Sequence, residues 1–463
     1  MLLNLFLKAG IASCMLIASA VLNGCDRPGN KLNAFSVSLT KYEPVKKHSA
    51  ELVLKWYELE LKLLRQKPGF APPVAARSLG YTGIILYESI VNGMPEYQSL
   101  YKELHLPSLP VPQKQSYNWM ISANAALSFS LKHFTGALST TNLIEIDSLE
   151  NYFKKKYSKQ ISKEQLSASA AFGNAIAAAI YSWSKTDGGH YGHRKNFSGN
   201  LSGPLLPGMW QATSFSGALL QDWGSNRPFM PANVIQCQPP PPPDYSDEKN
   251  STLFKEAKEV YSVFQKLTSE QAQIAKFWAD PPGSTFTPAG HSVQILCQII
   301  KEKNLSLDSS VIAFAKLGIA LNDAFISCWK AKYRYNYIRP ITYIRKHIRK
   351  DWLPFINTPS FPEYPSGHSV QSAATAEVLS SLFGNNYSFT DYSNDTLGYT
   401  PRHYFSFDEY AREAAVSRLY GGIHFSSSVK NGLLQGKKIG ANVNALRLKN
   451  SKSTGKESAY LFP

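Results

Sequence analysis

Apolar residues recur at three- and four-residue steps along most of this chain, and period-two alternation is scarce. The helical pattern covers residues 49–64, 75–91, 118–134, 141–157, 163–183, 253–267, 268–278, 309–331, 368–382, 407–420 and 427–448. A chain that must bury one apolar stripe per segment packs helix on helix, so an all-α bundle fold is expected. Thr268 followed by Gln271 reads as a capping box, and Pro281-Pro282-Gly283 as the end of that helix. The alanine-rich stretch 168–181, broken by Ser169 and Asn174, reads as a buried core helix. Beyond the N-terminal segment no run of about eighteen apolar residues appears.

At 463 residues the chain is long enough for two or three domain-sized units. Lys and Arg total 49 against 33 Asp and Glu, a net charge of +16 that suits an anionic partner, surface or substrate. The basic residues are dispersed and no zinc-finger, helix-turn-helix or RNP pattern occurs, which argues against nucleic acid. Lys8 precedes an apolar run over 9–21, and Leu22-Asn23-Gly24-Cys25 follows. The run is short for a spanning helix. It reads as a lipoprotein signal peptide over 1–24, with Cys25 lipidated; an ordinary cleaved signal peptide is the alternative. Residues 25–48 then form a polar tether, and the protein is expected to be exported and lipid-anchored in the bacterial envelope, at the periplasm or outer membrane. Cys237, Cys297 and Cys328 allow at most one disulfide, and Cys297 and Cys328 read as buried thiols. Residues 187–244 are rich in Gly, Pro, Ser and Trp and close on a proline run over 239–243. That run is expected to be a stiff connector lying on the surface, or a proline-rich ligand for a partner domain. The expected division is an N-terminal helical bundle with its connector over 49–243 and a second bundle over 244–463.

Three short segments of the second bundle carry the chemistry. Lys332 and Arg339 are seven residues apart, which on one helix ended by Pro340 puts both cations on one face. Pro365-Ser366-Gly367-His368 opens a helix: Ser366 fits an N-cap, Gly367 removes a side chain that would block an anion, and His368 sits in the first turn. Ser417-Arg418 ends another helix at Gly421-Gly422, and His424 lies in the next turn, before Ser426–Ser428 cap the following helix. Together they offer three cations, a hydroxyl, close-approaching N–H groups and two imidazoles, the inventory for holding an oxyanion and moving protons around it.

These segments resemble the three motifs shared by vanadium-dependent haloperoxidases and type 2 phosphatidic acid phosphatases. Lys, six residues and Arg-Pro match 332–340; Pro-Ser-Gly-His matches 365–368; Ser-Arg, five residues and His match 417–424. Trp329, the run from Phe361 to Tyr364, and the stretch from Phe277-Trp278-Ala279-Asp280 to His291 are similar to the bacterial haloperoxidase branch. The resemblance covers residues 244–448 and, more loosely, 75–91. It implies two stacked helical bundles of the vanadium haloperoxidase and acid phosphatase type.

The resemblance also implies vanadate as cofactor, with His424 binding the metal. Lys332, Arg339, Ser366, Gly367, His368 and Arg418 would surround the oxygens, His368 would be the acid–base group, and Lys332 would polarise bound peroxide. Trp329 and Phe361 would line the halide side. Hydrogen peroxide, a halide (iodide or bromide foremost) and an organic acceptor would be the partners. The alternative is a soluble acid phosphatase, with phosphate in the same site, His424 attacking phosphorus and His368 protonating the leaving oxygen. Many members carry an aspartate four residues after the last histidine; here Ser428 stands there, leaving the orientation of His424 open and weakening the phosphatase reading. Asp280 is a further candidate, either paired with an active-site arginine or an exposed carboxylate closing a helix.

Overall fold

Fourteen α-helices and one two-stranded ribbon make up the longer regular elements of the computed structural model, which describes residues 44–450 except 198, 200–205 and 214–216. The lipobox and Cys25 lie outside the described residues. In the N-terminal half, α1 (Glu51–Gln66), α2 (Pro72–Ile90), α3 (Trp119–Phe134), α4 (Thr140–Tyr157) and α5 (Lys163–Ser184) form one bundle, with α3 packed against α2, α4 and α5. The rest runs α6 (Pro231–Ile235), α7 (Thr252–Gln265), α8 (Ser269–Phe277), α9 (Thr287–Glu302), α10 (Leu307–Tyr335), α11 (Pro340–His347), α12 (Gly367–Phe383), α13 (Phe407–Tyr420) and α14 (Ser426–Asn444). Strands β1 (Phe389–Asp391) and β2 (Arg402–Tyr404) pair antiparallel between α12 and α13. The eleven expected helices are present, and the Thr268 capping box is formed. The periodicity missed α6, α9 and α11, which are short or carry a proline at their first or second position after loop-like sequence.

Close backbone approach sets the two halves and the second bundle. Helix α2 crosses α10 at facing glycines: a Cβ on Gly80 would stand 2.9 Å from the Gly318 carbonyl, and one on Gly83 2.8 Å from that of Phe314. Helix α14 lays Gly432, Gly436 and Gly440, one face at four-residue spacing, along α12; a Cβ on Gly436 would fall 2.0 Å from the Val370 carbonyl oxygen. Helix α10 is apolar and long enough to cross a membrane by composition, yet its most apolar window is wholly buried between the bundles. One apolar core runs through both halves.

The proline run is a strap. Proline carbonyls have no N–H neighbours to pair with, and tyrosine hydroxyls satisfy them: Tyr335 donates to Pro239 (3.1 Å), Tyr364 to Pro240 (2.6 Å) and Tyr337 to Pro243 (2.7 Å). Tyr343 donates to Ser246 just beyond (2.6 Å). The segment is pinned to the stretches that carry the first two motifs, so it is not a free ligand for a partner domain. Cys237, Cys297 and Cys328 are buried free thiols.

Candidate active site

The three segments converge. Trp329 and Lys332 sit in the last turns of α10. Arg339 does not share that helix, contrary to the expected common face: Asn336 adopts a left-handed conformation (φ 43°) and ends α10. Arg339 is extended, and Pro340 opens α11 rather than closing the helix before it. The reason is steric, since proline disfavours a helical residue before it and suits the first position of a helix. Ser366 caps α12, its hydroxyl accepting from the Ser369 N–H (3.4 Å). Arg418 lies in the last turn of α13, and Gly422 (φ 76°) turns the chain so that His424 lines the same cavity. Helix α14 is capped from outside and not by its own serines: Glu256 accepts the Ser427 N–H (3.0 Å).

Lys332, Arg339, Ser366, Arg418 and His424 are all buried. Arg339 donates Nε–H to the Phe361 carbonyl (3.0 Å) and Nη1–H to that of Ile423 (2.8 Å), with His424 Nε2 at 3.4 Å. Arg418 Nη1 donates to the Trp278 carbonyl (2.7 Å) and to His368 Nε2 (2.9 Å). Arg339 Nη2 and Arg418 Nε and Nη2 are buried without partners. Unpaired guanidinium donors in a dry site are the complement of an oxyanion. Burial pushes both arginines down to about 10, and for Arg418 the Arg339 charge acts in the same direction.

Lys332 is placed differently from the expectation of a lysine aimed at the anion. Its Nζ donates to the carbonyls of Pro362 (3.0 Å), Glu363 (3.0 Å) and Pro365 (2.5 Å), and lies 4.9 Å from the Phe361 ring. Burial drives it down to about 7, while three carbonyl acceptors match the three N–H bonds of an ammonium and hold the proton on. Trp329 and Phe361 pack with centroids 5.0 Å apart. A Cβ on Gly367 would stand 3.6 Å from the Trp329 ring, so glycine keeps the space between that ring and the helix N-terminus clear. Burial, then the neighbouring arginines and lysine, push His424 well below its usual range; burial and Arg418 do the same to His368. Both imidazoles are neutral at neutral pH. Gly367, His368, Arg418 and His424 line a cavity of about 660 Å³ whose walls also carry Phe70, Phe197, Phe325, Trp329 and Phe361.

Two groups escaped the sequence reading. Glu363 is fully buried, and its Oε1 accepts from His424 Nδ1 (2.8 Å) and from the Phe425 N–H (2.9 Å). Ser428 Oγ is 3.4 Å from the same nitrogen, so the carboxylate behind His424 comes from the second motif segment and not from position 428. The available signal was an acidic residue inside the run from Phe361 to Pro365, otherwise aromatic and proline. The second group is His291, buried between Asp280 (3.0 Å to Nδ1) and Asp391 (2.7 Å to Nε2), with Trp278 stacked on its ring. Asp280 is therefore neither exposed nor hydrogen-bonded to an active-site arginine; it meets the Arg418 charge only through space.

Residues 312–450 match the family model for the second helical-bundle domain of vanadium chloroperoxidase. The solved structure of a bacterial vanadium-dependent iodoperoxidase is 33% identical, covering 88% of this chain and 98% of that one with a TM-score of 0.79. The chain belongs to the vanadium-dependent haloperoxidases. A holo-type bacterial vanadium-dependent chloroperoxidase, 16% identical over 82% of this chain and 93% of that one with a TM-score of 0.60, shares the fold. Vanadium chloroperoxidase of Curvularia inaequalis is 35% identical over 81 residues, a stretch spanning 14% of this chain and 13% of that protein. Among haloperoxidases of this family the cup's donor set fits vanadate, a tetrahedral oxyanion: buried guanidinium N–H groups lack partners, a helix N-terminus opens beside them, and a neutral imidazole nitrogen faces them.

Proposed function

We propose that this protein is a vanadate-dependent haloperoxidase that oxidises iodide or bromide with hydrogen peroxide. The observation that carries the reading is the buried cup in which Arg339 and Arg418 keep spare donors and Arg339 Nη1 stands 3.4 Å from the neutral ring of His424. Peroxide, halide and one proton give hypohalous acid and water, so the site must hold an anion, keep a neutral base and return a proton. Bound vanadate supplies a Lewis acid that activates peroxide toward halide without changing its oxidation state.

His424 would offer Nε2 to the metal. Arg339, Arg418, the Ser366 hydroxyl and the Gly367 N–H would hold the oxygens. His368, neutral beside Arg418, would take a proton from incoming peroxide at Nε2 once Arg418 Nη1–H turns from that nitrogen to the anion, and return it to the leaving oxygen. Lys332, ringed by carbonyls, contributes a fixed positive field and reaches an anion oxygen by exchanging one of them. Trp329 and Phe361 keep water from the halide. Iodide is the easiest halide to oxidise, and the similarity to an iodoperoxidase structure supports it. The cavity of about 660 Å³ exceeds what peroxide and halide need and suits a small apolar organic acceptor.

The test is to load purified protein with vanadate, measure bound vanadium, and assay a halide panel with peroxide beside phosphomonoester hydrolysis. Halide oxidation lost in His424→Ala is expected; ester hydrolysis alone would reject the proposal. That alternative keeps one specific support, because Glu363 gives His424 the carboxylate partner a phosphohistidine mechanism needs. We also propose export and lipid anchoring through Cys25, read from the lipobox alone. Labelling with radioactive palmitate, lost in Cys25→Ala, tests it; a labelled variant or an unlabelled parent rejects it.

A further inference from the structure

Glu363 joins all three motif segments. Its N–H donates to the Tyr337 carbonyl (3.0 Å), between Lys332 and Arg339 in sequence. Its own carbonyl accepts from Lys332 Nζ (3.0 Å). Its Oε1 clamps the ring of His424 and the N–H of Phe425 together. The next residue, Tyr364, is tied to the proline strap through Pro240. Full burial and two hydrogen bonds on Oε1 leave the side chain little freedom, so the carboxylate is a rigid acceptor.

That acceptor decides which ring nitrogen of His424 carries the proton. Ionised, Glu363 can only accept at Nδ1, and Nδ1 is then N–H. On the far side Arg339 Nη1, which can only donate, faces Nε2 at 3.4 Å, so Nε2 must be the lone pair. Two independent contacts select the same tautomer, with the bare nitrogen turned into the cup.

We propose that Glu363 is the positioning residue for His424, supplying from the second motif segment the carboxylate that position 428, a serine, does not. The proposal rests on the haloperoxidase reading for what His424 holds, but the tautomer it assigns exists without any ligand. It therefore predicts that the carboxylate can be moved. Ser428 Oγ already lies 3.4 Å from Nδ1, and removing the Glu363 side chain makes room for a longer residue there.

The experiment uses the full chain freed of vanadate, with ¹⁵N-labelled histidine. The His424 signals, assigned by their loss in His424→Gln, should show the Nδ1–H tautomer. In E363A that tautomer should give way to a mixture, and vanadate affinity by calorimetry should fall about 10- to 100-fold. E363Q, which keeps an acceptor oxygen, should hold the tautomer and lose less affinity. E363A/S428D should restore the tautomer and bring affinity within about threefold of the parent, the scale of contextual scatter in such measurements. Should E363A prove unfolded, E363Q and the double variant carry the test. The proposal is overturned if the tautomer and affinity of E363A match the parent. It is equally overturned if a double variant with the parent's thermal midpoint recovers neither. A parent that shows the Nδ1–H tautomer but binds no vanadate supports the positioning role and rejects the functional reading instead.

Discussion

Replacing Arg418 by methionine separates stability from anion binding. Arg418 is buried, with Nη1 committed to Trp278 and His368 and with Nε and Nη2 unpartnered. An oxyanion that engages that open edge gains two charge-assisted hydrogen bonds, each worth about 1.5–3 kcal/mol. Losing both costs about 3–6 kcal/mol, or about 100- to 10,000-fold in affinity. The anion-free fold behaves differently. Burial lowers Arg418 from 12.5 to about 10, roughly 3 kcal/mol against keeping the charge there. The two bonds made by Nη1 are charge-assisted as well and return about 1.5–3 kcal/mol each. Arg418→Met should therefore cost the anion-free protein no more than about 3 kcal/mol, while abolishing the stabilisation that phosphate or vanadate confers. Calorimetric titration with each anion and thermal unfolding with and without them read both halves. A folded variant that binds phosphate within about tenfold of the parent would refute the assignment of that open edge to anion binding.

Two further outcomes follow from groups around the site. Burial alone pushes His291 down, but the carboxylates of Asp280 and Asp391 on its two nitrogens override this and raise it from 6.5 to about 10. A folded-state value above the unfolded one gives stability that is complete below pH 6.5 and is lost as pH climbs through about 10. The thermal midpoint of the parent minus that of His291→Gln should thus shrink steadily across this window; a flat difference would show that the imidazolium is not held. Gly436→Ala would set a methyl carbon 2.0 Å from the Val370 carbonyl, against backbone that cannot swing aside. Denaturant unfolding should show a loss of about 1–3 kcal/mol or more, against less than about 0.5 kcal/mol for exposed Lys437→Ala; equal effects would mean that α14 does not pack on α12 through its glycines.

Much of this was legible beforehand because it depends on neighbours in sequence. Helical periodicity, the Thr268 box, the Ser366 cap and the Gly421-Gly422 stop are local, and each formed as read. Pro340 was equally visible but its direction was misjudged, since a proline that ends one helix and a proline that begins the next look alike until the turn at Asn336 is seen. Glu363 lay in plain view beside Phe361 and Tyr364, yet its partner is 61 residues away. Nothing in the spacing of Asp280, His291 and Asp391 announced that they share one buried cluster.

The sequence by itself determined the kinds of groups that meet: cations, a hydroxyl, a cleared helix start and two imidazoles, on segments whose local rules make them helix ends. Tertiary structure alone decided which donors are left over for a ligand, that Lys332 is ringed by carbonyls, and whose carboxylate stands behind His424. The physical reason is that hydrogen-bond satisfaction and desolvation are properties of the packed interior. They depend on which distant backbone atoms arrive beside a side chain, and composition and periodicity carry no record of that.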